Sequence, residues 1–149
     1  MARAEIAADG LRIPWAVVED VADRLYLAAP PLEPDDVAAA LGVRLVAARF
    51  ADVGLGGLAF DGVVVVRQHV DARRTRLACW HELAHVFADR VCTRALHGDV
   101  WRLTLALAAP RAWLSTIGPV TREALELQRF MPPWAAAERV RMVFQGYWR

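Results

Sequence analysis

Residues 75–90 read TRLACWHELAHVFADR, sixteen positions without glycine or proline. Leu77, Trp80, Ala84 and Phe87 recur at helical spacing along one flank, so the stretch predicts a long helix with one buried side. Inside it stands His81-Glu82-Leu83-Ala84-His85, an HExxH pattern. With 4 His and 7 Glu in 149 residues, a shuffled chain would contain about 0.005 such matches, so the pattern merits a chemical explanation. On a helix the two histidines stand about 40° apart and Glu82 about 60° from His85, which places all three in one sector of about 100°.

Two imidazoles on adjacent turns suit a tetrahedral Zn2+, while Glu82, displaced sideways, is placed to bond a water on the ion rather than the ion itself. In that chemistry the metal acidifies the water and polarises a scissile carbonyl; the carboxylate takes the proton and passes it to the leaving amine. A third protein ligand is required. A metzincin would place a glycine three residues and a histidine six residues beyond the second motif histidine; Ala88 and Val91 hold those positions, which excludes that class. His97, 12 residues after His85, leaves room for the chain to exit the helix near Arg90, turn, and return an imidazole. Asp99 is the alternative third ligand, although an aspartate opening a helix also serves as its N-cap. Glu123 and Glu126, further along, read as surface positions. The plainer alternative to a metal centre is a pair of solvent-facing histidines on an ordinary helix.

Towards the N-terminus, residues 1–13 carry no pattern and are expected to be flexible or loosely packed. Val18, Val21, Ala22 and Leu25 predict a helix from Trp15 to Leu27, closed by Pro30, Pro31 and Pro34. A short helix should follow from about Pro34 to Leu41, with Asp35 and Asp36 in its first turn and Gly42 as its stop. Val43 to Phe50 reads as extended. Leu58 to Phe60 and Val63 to Arg67 flank Asp61-Gly62, a dipeptide favoured in two-residue hairpin turns. The middle of the chain is therefore expected to hold a small, mostly antiparallel sheet, with Val63 to Val66 either its edge or an inner strand. Beyond the motif, Asp99 opens a helix that Pro110 ends, and Thr121 with Glu123 opens another that stops near Met131. Trp134 to Phe144 forms a last helix with Ala137, Val140 and Val143 or Phe144 inward. The expected architecture is α+β: a central sheet packed on the HExxH helix, flanked by N-terminal and C-terminal helices, in a single domain spanning 1–149.

Composition narrows the function. The chain is 56% hydrophobic and 23% charged with a formal net charge of +1, so it carries no uniform electrostatic footprint for nucleic acid or an anionic membrane. All 18 basic residues are arginine. No apolar run reaches the ~18 residues of a membrane span, and the first residues do not resemble a secretory signal, so a cytoplasmic location is expected. Cys79 and Cys92 lack CxxC spacing and are expected to be reduced, mostly buried thiols; by helix arithmetic Cys79 points away from the histidines. His69 reads as a surface or supporting histidine, and Arg73, Arg74 and Arg76 as a solvated cluster able to hold a substrate carboxylate. Trp15, Trp113 and Trp134 fit helix-packing positions. Tyr26 and Tyr147 are candidates to stabilise a tetrahedral intermediate, and spacing selects neither.

The block RTRLACWHELAH at 74–85 resembles the core of the ImmA/IrrE family of zinc metallopeptidases, roughly R-x-R-F-T-L-A-H-E-L-G-H. A second block, HGDVWRLTLALAAP at 97–110, is similar to the family's E-x-x-A-N-x-F-A-A-x-L-L-M-P. In that register His97 takes the place of the glutamate that is the family's third zinc ligand, in agreement with the spacing argument. The resemblance runs from about Trp15 to the end, at the level of pattern outside the HExxH. Trp80, Gly98 and Trp101 stand where the family has other residues. The resemblance implies a zincin-like fold with Zn2+ on His81, His85 and His97, and Glu82 as catalytic base. It also implies a regulatory endopeptidase that cleaves a helix-turn-helix transcriptional repressor, often of a phage or mobile element. The alternative is a catalytically weak or inactive zinc-binding module that regulates such a protein by binding. Direct nucleic-acid binding has no support in the charge or in any recognisable motif.

Overall fold

Asp61 and Gly62 both adopt positive φ, 47° and 74°, the backbone of a tight turn whose twist matches that of paired strands. The computed structural model describes residues 15–25, 33–50, 57–91 and 99–147, and this turn joins β2 (Gly57–Phe60) to β3 (Val63–Arg67) within them. The two strands pair antiparallel, Phe60 opposite Val63 and Gly57 opposite Val66. On its other side β3 pairs with β1 (Arg44–Ala48), and here the strands run parallel, Arg44 opposite Val63 and Ala48 opposite Arg67. The sheet order is β1-β3-β2, so the sheet is mixed rather than mostly antiparallel. The reason lies in the valines. Val64 and Val66 are fully buried while Val63 and Val65 are half-buried, so β3 gains most from a central position with neighbours on both edges. The hairpin occupies one edge of β3 and leaves only the other to β1.

Four helices frame this sheet and the motif: α1 (Trp15–Leu25), α2 (Pro34–Ala40), α3 (Ala72–Val91) and α4 (Val100–Ala108). The motif helix α3 begins three residues earlier than Thr75. Asp71 supplies the cap, its carboxylate accepting the Arg73 N–H at 2.9 Å, while Thr75 Oγ1 accepts the His69 N–H at 2.8 Å. Leu77, Trp80 and Ala84 of the predicted flank face the core, Phe87 packs against it partly buried, and Leu83 joins them; Trp80 is the largest fully buried apolar side chain. The helix α4 packs along α3, and its residues from Leu103 to Ala108 are all buried. After Pro110 come a single turn α5 (Arg111–Leu114), then α6 (Arg122–Gln128), capped by Thr121 as predicted, and α7 (Pro133–Tyr147).

The buried C-terminus of α4 leaves carbonyls that the helix cannot satisfy. Two buried arginines fill this need: Arg129 Nε donates to the Ala108 carbonyl at 2.7 Å, and Arg139 Nε to that of Ala109 at 2.9 Å. Arg139 in turn grips Glu19 of α1 with both terminal nitrogens, at 2.5 and 3.1 Å, and both side chains are wholly buried. This pair corrects the expected inward face of α7. Ala135, Ala136, Arg139, Met142 and Val143 face the core, whereas Ala137 and Phe144 are exposed. An apolar count passes over arginine; Glu19 is what makes its burial possible. Trp113 is buried as expected, while Trp134 is half exposed. No described helix is long and apolar enough to cross a membrane.

Candidate functional site

His81 and His85 lie one turn apart on α3, and their Nε2 atoms are 3.2 Å from each other. Two nitrogens bound at 2.0–2.1 Å to one tetrahedral ion are separated by about 3.3 Å, so these two atoms already stand at the spacing of neighbouring zinc ligands. Both rings are partly buried and meet edge to face, with centroids 4.7 Å apart. The far nitrogen of His81, Nδ1, contacts Thr104 Oγ1 of α4 at 3.1 Å. Trp101, one turn earlier on α4, stacks on the His81 ring at 4.0 Å and 26°, and Trp134 meets Trp101 edge-on at 5.9 Å. Burial, followed by the neighbouring His85, pushes the His81 pKa down to about 4.

In the metal-free protein, the His81 ring is therefore expected to titrate near pH 4 instead of 6.5, a midpoint that proton NMR reads directly. Between these values the unfolded chain binds the proton and the folded chain does not, so the His81 contribution to stability is present above pH 6.5 and is lost as pH falls towards 4. Glu82, raised by burial, acts in the opposite direction. A His81 midpoint at 6.5 would contradict the packing of Trp101 and Thr104 on the ring.

Glu82 is half-buried and lies against Gly57 of β2. A Cβ built at Gly57 of β2 would approach Glu82 Cγ and Oε1 to 2.7 Å, and Cδ more closely still. Glycine at 57 is what lets the edge strand lie against this carboxylate. Burial raises the Glu82 pKa, partly offset by His85, which makes the group a better proton acceptor at neutral pH than a solvated carboxylate. In Gly57→Ala the flexible Glu82 side chain gives way before the backbone does. Under the metal-dependent hydrolysis expected from the motif, this variant should keep its fold and metal content and lose about 10²-fold in cleavage rate, the scale of a 1 Å misplacement. Circular dichroism, metal analysis and a cleavage assay separate the three.

The structure brings His81, His85 and Glu82 to one face of α3. His97, Cys92 and Tyr26 lie outside the described residues. Asp99 stands at the N-cap of α4, where its carboxylate makes no capping bond and pairs with Arg102 at 2.6 Å. Among the described residues no group of three His, Cys, Asp or Glu side chains is gathered as a metal would need. His69 is held by its backbone against Thr75 and is not gathered with the motif pair into a three-ligand group. Glu123 is exposed as expected, whereas Glu126 is only partly exposed, with its Oε1 shielded from solvent 3.1 Å from Arg122 Nε. Of the arginine cluster, Arg76 pairs with Glu33, whose carboxyl it holds below its ordinary pKa, and Arg73 lies 5.1 Å over the Phe130 ring. Cys79 is half-buried, and burial pushes its thiol up to about 11, so it stays protonated.

Thr104, Trp101 and Gly57 are the site residues that motif spacing did not select. One signal was present for Thr104: it is the lone polar side chain in the run LTLALAA at 103–109. Gly57 ends the glycine-rich stretch GLGG at 54–57. No protein-family model, curated protein or solved structure matches the chain.

Proposed function

We propose that this chain is a zinc-dependent endopeptidase of the zincin-like ImmA/IrrE type. Its substrate would be a partner protein, a helix-turn-helix repressor of a phage or mobile element, which places the reaction in the cytoplasm. The observation that carries the proposal is the 3.2 Å convergence of the His81 and His85 Nε2 atoms beside a half-buried Glu82. His81, His85 and His97 would hold Zn2+, with Asp99 as the alternative third ligand. Bound there, the ion supplies Lewis acidity towards water and a peptide carbonyl. Glu82 accepts a proton from the attacking water at its carboxylate and returns it to the leaving nitrogen. β2 is an edge strand running past Glu82, so an extended substrate segment can add to it by backbone hydrogen bonds and present its peptide bond to that carboxylate.

One observation favours the second reading, a catalytically weak or inactive zinc-binding module that acts on a repressor by binding. Trp101 lies flat on His81 and Trp134 flanks it, so aromatic rings cover part of the approach to the motif. Metal analysis and incubation with any helix-turn-helix repressor encoded beside the chain, comparing wild type with Glu82→Gln, tests both. Stoichiometric zinc and cleavage by wild type alone support the peptidase. Zinc and tight binding without cleavage support the module, and a protein that takes up no zinc sinks both. His97→Ala should lower the zinc content and Asp99→Ala should not; the reverse result moves the third ligand to Asp99.

A further inference from the structure

We infer that Thr104 is a positioning residue that locks His81 in its Nδ1–H tautomer, leaving the lone pair of Nε2 directed at His85; its consequence for metal binding rests on the zinc reading above, while the tautomer itself does not. Thr104 is fully buried on α4, and its Oγ1 lies 2.7 Å from the Val100 carbonyl oxygen and 3.1 Å from His81 Nδ1. A single hydroxyl proton must serve these two contacts. The carbonyl can only accept, so the proton goes to Val100; otherwise two buried oxygens would face each other with no hydrogen between them. Nδ1 is then the donor of the remaining contact. A neutral imidazole protonated on Nδ1 carries its free lone pair on Nε2, the atom 3.2 Å from Nε2 of His85. In the metal-free protein His85 therefore donates Nε2–H across that contact.

The arrangement holds His81 on two sides. Thr104 fixes the ring by its edge and Trp101 by its face, at 26° between planes. Both come from α4, so the packing of α4 on α3 sets the direction of the ligand lone pair. The distal N–H of a metal-binding histidine usually donates its hydrogen bond to a carboxylate or a backbone carbonyl. Here the side chain that receives it is a hydroxyl whose own proton is already committed, and valine could copy its shape without its chemistry.

Long-range 1H–15N correlation spectra of the chelator-treated full-length protein read the tautomer directly. Wild type and Thr104→Ser should show His81 protonated on Nδ1, whereas Thr104→Val should shift it towards the Nε2–H form. Titration with Co2+, followed by its visible absorption, should show Thr104→Val binding about 10–100-fold more weakly and Thr104→Ser restoring most of the loss. An Nε2–H His81 in wild type, or wild-type tautomer and affinity in Thr104→Val, would overturn the inference; the wild-type spectrum decides even if the valine variant does not fold. A wild-type protein with Nδ1–H His81 that binds no Co2+ would sink the metal centre and leave the Thr104 lock standing.

Discussion

Glu82→Gln is expected to lower the rate of repressor cleavage by about 10²–10⁴-fold at unchanged zinc content, the range spanned by loss of a positioned acid–base group. The substitution keeps the shape that fits beside Gly57 and removes the ability to accept a proton. Because burial raises the Glu82 pKa, the carboxylate of the folded protein protonates at higher pH than a solvated one. In the proposed reaction the ionised form is the proton acceptor. In the metal-free protein the Glu82 midpoint is expected above 4.5, which 13C NMR of the carboxyl reads directly. Gly57→Ala provides the companion test, since a displaced and better solvated Glu82 should move this midpoint back towards 4.5 while lowering the cleavage rate. Cleavage by Glu82→Gln at the wild-type rate would falsify the assigned role of this carboxylate.

Glu19→Ala should cost about 3–5 kcal/mol of stability, the penalty for leaving one member of a buried ion pair without its partner. Both side chains are excluded from solvent, and Arg139 holds Glu19 through two contacts, at 2.5 and 3.1 Å, while its Nε caps the Ala109 carbonyl. Alanine removes both Glu19 contacts and leaves a cavity beside a guanidinium. For a chain of this size the melting temperature should fall by roughly 10 °C. The double variant Glu19→Leu with Arg139→Met should recover part of that loss, because two apolar side chains of similar volume can replace a buried pair. Recovery should stay incomplete, since the Ala109 carbonyl then lacks its buried donor. Equilibrium denaturant unfolding checks both. A Glu19→Ala loss below about 1 kcal/mol would mean that water reaches the pair, as in surface ion pairs.

These two sites differ in how far they could be read from the chain. The motif face of α3 follows from helical geometry over five residues, and the structure places His81, Glu82 and His85 as that geometry requires. The Asp61-Gly62 turn is equally local, and its two positive φ angles match its dipeptide. The Glu19–Arg139 pair is not local. Its members are 120 residues apart, and each alone reads as an ordinary charged position on a helix surface. The parallel pairing of β1 with β3 is likewise a competition for the edges of the most apolar strand, which no single segment expresses.

By itself the sequence determined which segments form the longer helices and the hairpin, and that two imidazoles and a carboxylate share one helical face. Those outcomes depend on backbone preference and periodicity across a few residues. Only the tertiary structure decided what surrounds that face. Thr104 reaches His81 across 23 residues, and Gly57 meets Glu82 across the sheet edge, because α4 and β2 both pack on α3. A motif specifies which atoms can act; which lone pair points where, and how much water reaches a carboxylate, depends on neighbours that burial brings in from elsewhere in the chain.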